Sequence, residues 1–191
     1  MKKKIFYHVV TERPMYLGQV IIFNENHHSG VYERINKEKE QVDKLYSGES
    51  IELTNDLKKA LRESALEEIR IKEYPYYPSR LSCLYVSNSL KEAEFWYNIF
   101  MEQGRPTFQI VKVEVDGIYF TGDAWNCFEG TSDKNRNLEL ARRYWKNEDN
   151  LKGEKPINET LVDGTIKVVE IIKENKKDLD LVSGGEIYDK Q

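Results

Sequence analysis

The chain has 191 residues, of which 39% are hydrophobic and 32% charged, with 12 Tyr, 7 Phe and 3 Trp. That is enough apolar and aromatic material to bury the core of one domain, which excludes wholesale disorder. The 29 basic and 33 acidic residues are interspersed and leave a formal net charge of -4, which excludes a large basic footprint for nucleic-acid phosphates.

In chain order, Ile5 to Val10 is rich in β-branched and aromatic residues and reads as a strand carrying His8. Its apolar run is too short for a signal segment, and no stretch approaches the roughly 18 apolar residues of a membrane span, so a cytoplasmic protein without a membrane partner is expected. Met15 to Phe23 reads as a short turn of helix, a break at Gly18-Gln19 and an extended piece. The polar stretch 24–29 reads as a loop, and its neighbouring His27 and His28 would point in different directions rather than at one metal.

From Val31 to Ile71 the period is helical. Val42, Leu45 and Tyr46 form one short face, and Leu57, Leu61, Ala65, Leu66 and Ile69 recur at steps of three and four. Thr54 or Asn55 is the expected cap of the second helix, because a short oxygen side chain accepts an orphan backbone N–H. Pro75 and Pro78 then end the helix. Tyr74, Tyr76 and Tyr77 around them either line a groove for a planar ligand or cover an edge of the core. Leu81 to Ser87 reads as the second strand, with Asn88 or Ser89 capping a helix over Leu90–Met101. Phe108–Val115 alternates as a strand that Gly117 is expected to turn towards Ile118-Tyr119-Phe120, and Leu138–Trp145 reads as a further helix. Thr160–Val162 and Thr165–Ile172 flank Asp163-Gly164, which between β-branched runs predicts a hairpin.

Strands at both ends and helices in the middle predict an α+β chain with a mostly antiparallel sheet. The expected organisation is a single domain over 1–175, with a helical insertion at about 31–72 and a charged, mobile tail over 176–191. Cys83 and Cys127 form no Cys-x-x-Cys pair and read as small buried hydrophobes in a reducing compartment, with a disulfide as the lesser alternative. No metal site is expected. Dinucleotide-fold, P-loop, zinc-protease and nucleophile-elbow signatures do not occur.

Three strand-borne segments stand out: Phe6-Tyr7-His8-Val9-Val10, Leu84-Tyr85-Val86-Ser87 and Ile157-Asn158-Glu159-Thr160-Leu161-Val162. Together they resemble the His-Tyr-Glu signature of the diphtheria-toxin and poly-ADP-ribose polymerase branch of ADP-ribosyltransferases. The text from His8 through Met15-Tyr16-Leu17-Gly18-Gln19 is also similar to rifamycin-inactivating ADP-ribosyltransferases of bacteria. Where that family usually has Gly and then Ser or Thr after the His, this chain has Val9 and Val10.

The resemblance implies an ADP-ribosyltransferase-like split sheet with flanking helices and NAD as substrate. Glu159, His8 and Tyr85 are its catalytic residues, with His8 on the ribose or amide and Tyr85 stacking on nicotinamide. Glu159 would stabilise the cationic character that grows as nicotinamide leaves. Tyr77 or Tyr97 would form the opposite wall. As residues in their own right, Arg80 can meet a pyrophosphate and Ser87 a ribose or Glu159. Each residue also has an ordinary structural reading: a core histidine, a core tyrosine, an exposed glutamate, a strand-entry arginine. The expected function is transfer to an unknown acceptor, a small molecule or protein more readily than a nucleic acid. The alternatives are an NAD glycohydrolase acting as a toxin or phage-defence effector, and a non-catalytic binding module of the same fold.

Overall fold

The computed structural model describes residues 3–24 and 27–179. The elements in order are β1 (Lys4–Val10), β2 (Val20–Ile21), α1 (Gly30–Tyr46), α2 (Asn55–Glu73), β3 (Leu84–Val86), α3 (Leu90–Glu102), β4 (Gln109–Asp123), α4 (Lys134–Lys146) and β5 (Asn158–Glu174). A single 3-10 turn, Ala124–Asn126, lies between β4 and α4. The chain is α+β, with a five-stranded open antiparallel sheet in the order β1-β4-β5-β2 and with β3 paired to β5. Of the tail expected over 176–191, residues 176–179 form a helical turn and the rest lies outside the described residues.

The chain resolves into two compact units, each assembled from separated stretches. The first comprises 1–22, 85–117 and 164–191, and the second 23–84 and 118–163. Long β4 and β5 therefore contribute residues to both.

In the first unit β1 lies antiparallel on β4, from Lys4 opposite Val115 to Val10 opposite Gln109. Phe6, Ile110, Val111 and Val113 are fully buried there. Helix α3 covers this sheet: Ala93 and Tyr97 pack on Val9 and Ile110, with Tyr7, Leu90, Trp96, Phe100 and Ile172 around them. Ser89 caps α3 by accepting the Glu92 N–H, in line with the Asn88-or-Ser89 expectation.

In the second unit α2 packs against α1 and α4. Its apolar stripe works as the spacing predicts, with Val42 of α1 closing on Leu57, Ala60 and Leu61. Thr54 caps α2 through the Leu57 N–H. Trp145 of α4 is buried and donates its indole N–H to the Leu66 carbonyl at 2.8 Å, so this large, fully buried side chain leaves no orphan donor. Gly130 sits where any Cβ would collide with the Lys58 carbonyl, so this loop seats on α2 only as glycine.

Four local expectations are corrected. Met15–Gly18 forms no helix, only a turn at Leu17-Gly18, and the strand expected from Leu81 begins at Leu84. Gly117 does not turn the chain: it lies within continuous β4 and lacks the positive φ such a reversal would use. Asp163-Gly164 makes no hairpin either, because β5 runs unbroken from Asn158 to Glu174. A tight type I′ turn needs positive φ at both central residues. Gly164 has one (φ 123°) but Asp163 does not. Gly164 is instead required by proximity, since a Cβ on it would lie 2.5 Å from the Asp116 carbonyl oxygen.

Candidate functional site

In the second unit the expected carboxylate is built from the loop upward. Asp123, at the end of β4, accepts the backbone N–H of Trp125 and of Ile157 on Oδ1, both at 3.0 Å, and the Asn150 amide on Oδ2 at 2.7 Å. Asn150 in turn both donates to and accepts from the backbone of Glu154. Asn147, in the left-handed conformation that ends α4, accepts the Asp123 N–H. The loop before β5 is thus tied at several points to the end of β4, and Glu159 follows two residues after the anchored Ile157.

Glu159 meets two donors on a single oxygen. Its Oε1 accepts from Arg80 Nη1 at 2.6 Å and from the Tyr144 hydroxyl at 2.7 Å. Arg80 Nη1 also donates to the Tyr144 hydroxyl oxygen at 2.6 Å. Oε2 takes no hydrogen bond among the described residues. On its other edge Arg80 donates from Nε to Glu63 Oε2 at 2.8 Å and from Nη2 to Glu63 Oε1 at 3.3 Å. Arg62 closes the row, its Nε donating to Glu63 Oε1 at 2.9 Å.

Arg62, Glu63, Arg80 and Glu159 therefore form an alternating line of charge. Glu63 and Arg80 are 2% and 5% exposed, and the Glu159 side chain is 15% exposed. Burial alone would raise the Glu63 carboxyl, but the Arg80 and Arg62 guanidiniums outweigh it and hold the group below its ordinary range. The Cys127 thiol, 3.7 Å from Arg80 Nη2, is pushed up by burial to about 11, against the pull of the two arginines. Cys83 is likewise raised by burial. Both cysteines are free, and both stay protonated at neutral pH, which removes them as nucleophiles.

In the first unit, a two-way backbone bridge between Tyr7 and Ser87 sets the end of β3 beside β1. His8 Nδ1 consequently lies 2.7 Å from the Tyr85 carbonyl oxygen. A carbonyl only accepts, so Nδ1 carries the hydrogen and Nε2 keeps the acceptor lone pair. Burial lowers the His8 pKa to about 4 despite that hydrogen bond, with the nearby Arg105 charge adding to the depression. The imidazole is neutral at neutral pH. Ser87 is buried, and Tyr85 is half-buried. Val9 and Val10 are core residues, with the Val10 carbonyl accepting the Phe108 N–H. Gln109 grips both the N–H and the carbonyl of Met15, fixing the segment that leads to Gly18.

The predicted residues thus fall into three settings: His8, Tyr85 and Ser87 in the first unit, Glu159 with Arg80 in the second, and Tyr77 in an aromatic group of the second. Tyr77 packs on Phe120 (centroids 4.8 Å apart), Tyr74 and Trp145, whereas Tyr76 is exposed. Tyr97 is buried on the inner face of α3, against Val9 and Ile110, with Lys173 over its ring. Among the described residues Arg80 donates to two carboxylates, a phenol and the Cys127 sulfur. His27 stacks on Phe23 and His28 on Tyr32. Among the described residues no cluster of three or more His, Cys, Asp or Glu has the arrangement of a metal site, and no helix is long and apolar enough to cross a membrane.

Sequence reasoning missed Glu63, Tyr144 and Asp123. Glu63 carried a signal, since it lies three residues from both Ala60 and Leu66 on the buried stripe of α2, where a carboxylate demands a cation. Tyr144 follows Asn137 and Ala141 at helical spacing, and a buried phenol needs a partner.

Compared with known proteins, the model of a family described as a protein of unknown function (DUF2441) matches residues 6–174. No curated protein matches the chain.

Proposed function

Since the chain belongs to the DUF2441 family, whose description assigns no activity, we propose from its own residues that it is an ADP-ribosyltransferase-like enzyme with NAD as donor. The observation that carries this reading is Glu159: a carboxylate beside a cation, fixed through Oε1, with no hydrogen bond to Oε2 from the described residues. In that role it accepts a hydrogen bond from the nicotinamide ribose and stabilises positive charge as the bond between ribose C1′ and the nicotinamide nitrogen breaks. The electron pair leaves with nicotinamide. The acceptor's nucleophilic atom then bonds to C1′ and gives up its proton to base or solvent.

His8 supports the reading through its neutral ring, whose Nε2 acceptor suits a ribose hydroxyl or an amide N–H. Tyr85 offers an aromatic face for nicotinamide. The antiparallel sheet with flanking helices is the coarse architecture that an ADP-ribosyltransferase-like split sheet requires. The net charge of -4 favours a small-molecule or protein acceptor over a nucleic acid. One observation favours a non-catalytic binding module instead: Val9 and Val10 are core residues where the family's Gly and Ser or Thr would meet the ligand.

The test incubates the full chain and Glu159→Gln with NAD labelled in the adenylate, following nicotinamide release with and without cell lysate. Release that needs Glu159 and labels a lysate component is the expected result. Release without labelling converts the reading to NAD hydrolysis, and NAD binding without release converts it to a binding module. Absence of both binding and release overturns it.

A further inference from the structure

Resting on the reading of Glu159 as the carboxylate that meets NAD, we propose that Tyr144 and Arg80 are positioning residues that hold it by Oε1 and leave Oε2 as the single acceptor for one ligand hydroxyl. An arginine left to itself grips a carboxylate through two parallel N–H bonds, occupying both oxygens. Here the carboxylate meets one arm of that fork. Glu63 takes Nε–H and one N–H of Nη2, the other Nη2 contact runs to the Cys127 sulfur at 3.7 Å, and Nη1 reaches Glu159 on one oxygen.

The phenol fixes the direction of the contact. Arg80 Nη1 can only donate, so the Tyr144 oxygen accepts there and sends its own proton to Glu159 Oε1. The ring has little freedom to turn away, because Tyr144 is fully buried with Trp145 and Phe120 at centroid distances of 5.0 and 5.6 Å. Glu63 holds the far edge of the guanidinium and Cys127 lies against Nη2, so Arg80 meets Glu159 through Nη1 and one oxygen. A site with one free carboxylate oxygen recognises a single hydroxyl rather than bracketing a diol.

The test uses the full chain and begins without NAD. Subtracting the infrared spectrum of Glu159→Gln from that of the wild type isolates the Glu159 carboxylate stretching bands, and the same subtraction is made in a Tyr144→Phe background. The expected result is a displaced antisymmetric band in Tyr144→Phe, together with a fall in kcat for nicotinamide release of about 10- to 100-fold and a KM within about twofold, the scale for losing one hydrogen bond to a charged group. An unmoved band overturns the proposal. So does a displaced band with unchanged kcat. Should Tyr144→Phe fold poorly, site-specific replacement of Tyr144 by 3-fluorotyrosine keeps the ring, strengthens the donor and is expected to move the band the opposite way; no movement overturns the proposal here too. If the wild type neither binds nor cleaves NAD, the functional reading fails, while the infrared comparison still decides whether Tyr144 holds Oε1.

Discussion

His8 in the first unit and Glu63 in the second are both shielded ionisable groups, yet burial leaves one neutral and the other charged. Among the described residues His8 has a carbonyl as its polar partner and an unfavourable arginine nearby, so the loss of water governs and its pKa falls to about 4. Glu63 is buried too, but two guanidiniums more than replace the water it lost, and its carboxyl stays below the ordinary range. The depth of burial is a poor guide to the state of a group; what stands against it decides. In these settings the first unit offers a neutral acceptor and the second a preserved anion.

The sharpest way to break that comparison is to take away the partner. Glu63→Ala leaves Arg80 with half of its counter-charge in a buried place, and urea unfolding should show a loss of about 3–5 kcal/mol. The double replacement Glu63→Leu with Arg80→Met should recover most of that loss, since an apolar pair of similar volume has no charge to desolvate. A double variant no more stable than Glu63→Ala would mean that the row of charge contributes net stability.

The two regimes also separate by pH. His8 has a folded pKa below its ordinary 6.5, so between pH 6.5 and about 4 the unfolded chain binds a proton that the folded chain refuses. Stability is therefore fully present above 6.5 and lost as pH falls towards 4, by about 2–3 kcal/mol. His8→Asn, which keeps a donor for the Tyr85 carbonyl but does not titrate, should flatten that part of the curve. Glu63 has a lowered pKa, so the stability it contributes is present above its ordinary 4.5 and lost only at more acid pH. If His8→Asn leaves the slope between 6.5 and 4 unchanged, His8 is not held neutral.

Two glycines, one in each unit, give a smaller contrast. Gly164→Ala combines positive φ with a collision against Asp116 and should cost about 3 kcal/mol, whereas Gly153→Ala has φ 67° but open space and should cost about 1 kcal/mol. Equal costs by thermal unfolding would mean that β4 moves aside at Asp116. Smallest are the caps. Ser89→Ala and Thr54→Ala each remove one accepted N–H and should each cost about 1 kcal/mol by urea unfolding, whichever unit holds the helix.

The helices were legible in the sequence because their signals are local: the stripe from Leu57 to Ile69 and the caps Thr54 and Ser89 stand where spacing and side-chain chemistry put them. The long strands were legible as shorter pieces, Phe108–Val115, Thr160–Val162 and Thr165–Ile172, but not as continuous β4 and β5, because their course depends on what lies opposite. Asp163-Gly164 has the letters of a turn, and only its closeness to Asp116 explains why the glycine is there. The same division holds at the candidate site. Glu159 and Arg80 were each singled out, but nothing in the sequence joins them, since the link runs through Glu63 on α2 and Tyr144 on α4. Arg80 reads in the sequence as a candidate pyrophosphate ligand because a guanidinium matches phosphate oxygens, whereas in space it faces two carboxylates, a phenol and a thiol.

The threading of the chain through the two units limits how the molecule can be cut. Neither unit is a continuous segment: the first needs three stretches and the second two. No truncation from either terminus yields one complete unit alone. Cleavage between Leu84 and Tyr85 would produce two fragments that each carry part of both units, so neither should fold alone and folding should return only when they are mixed. Dissecting the roles of His8 and Glu159 is therefore a task for point substitutions in the full chain.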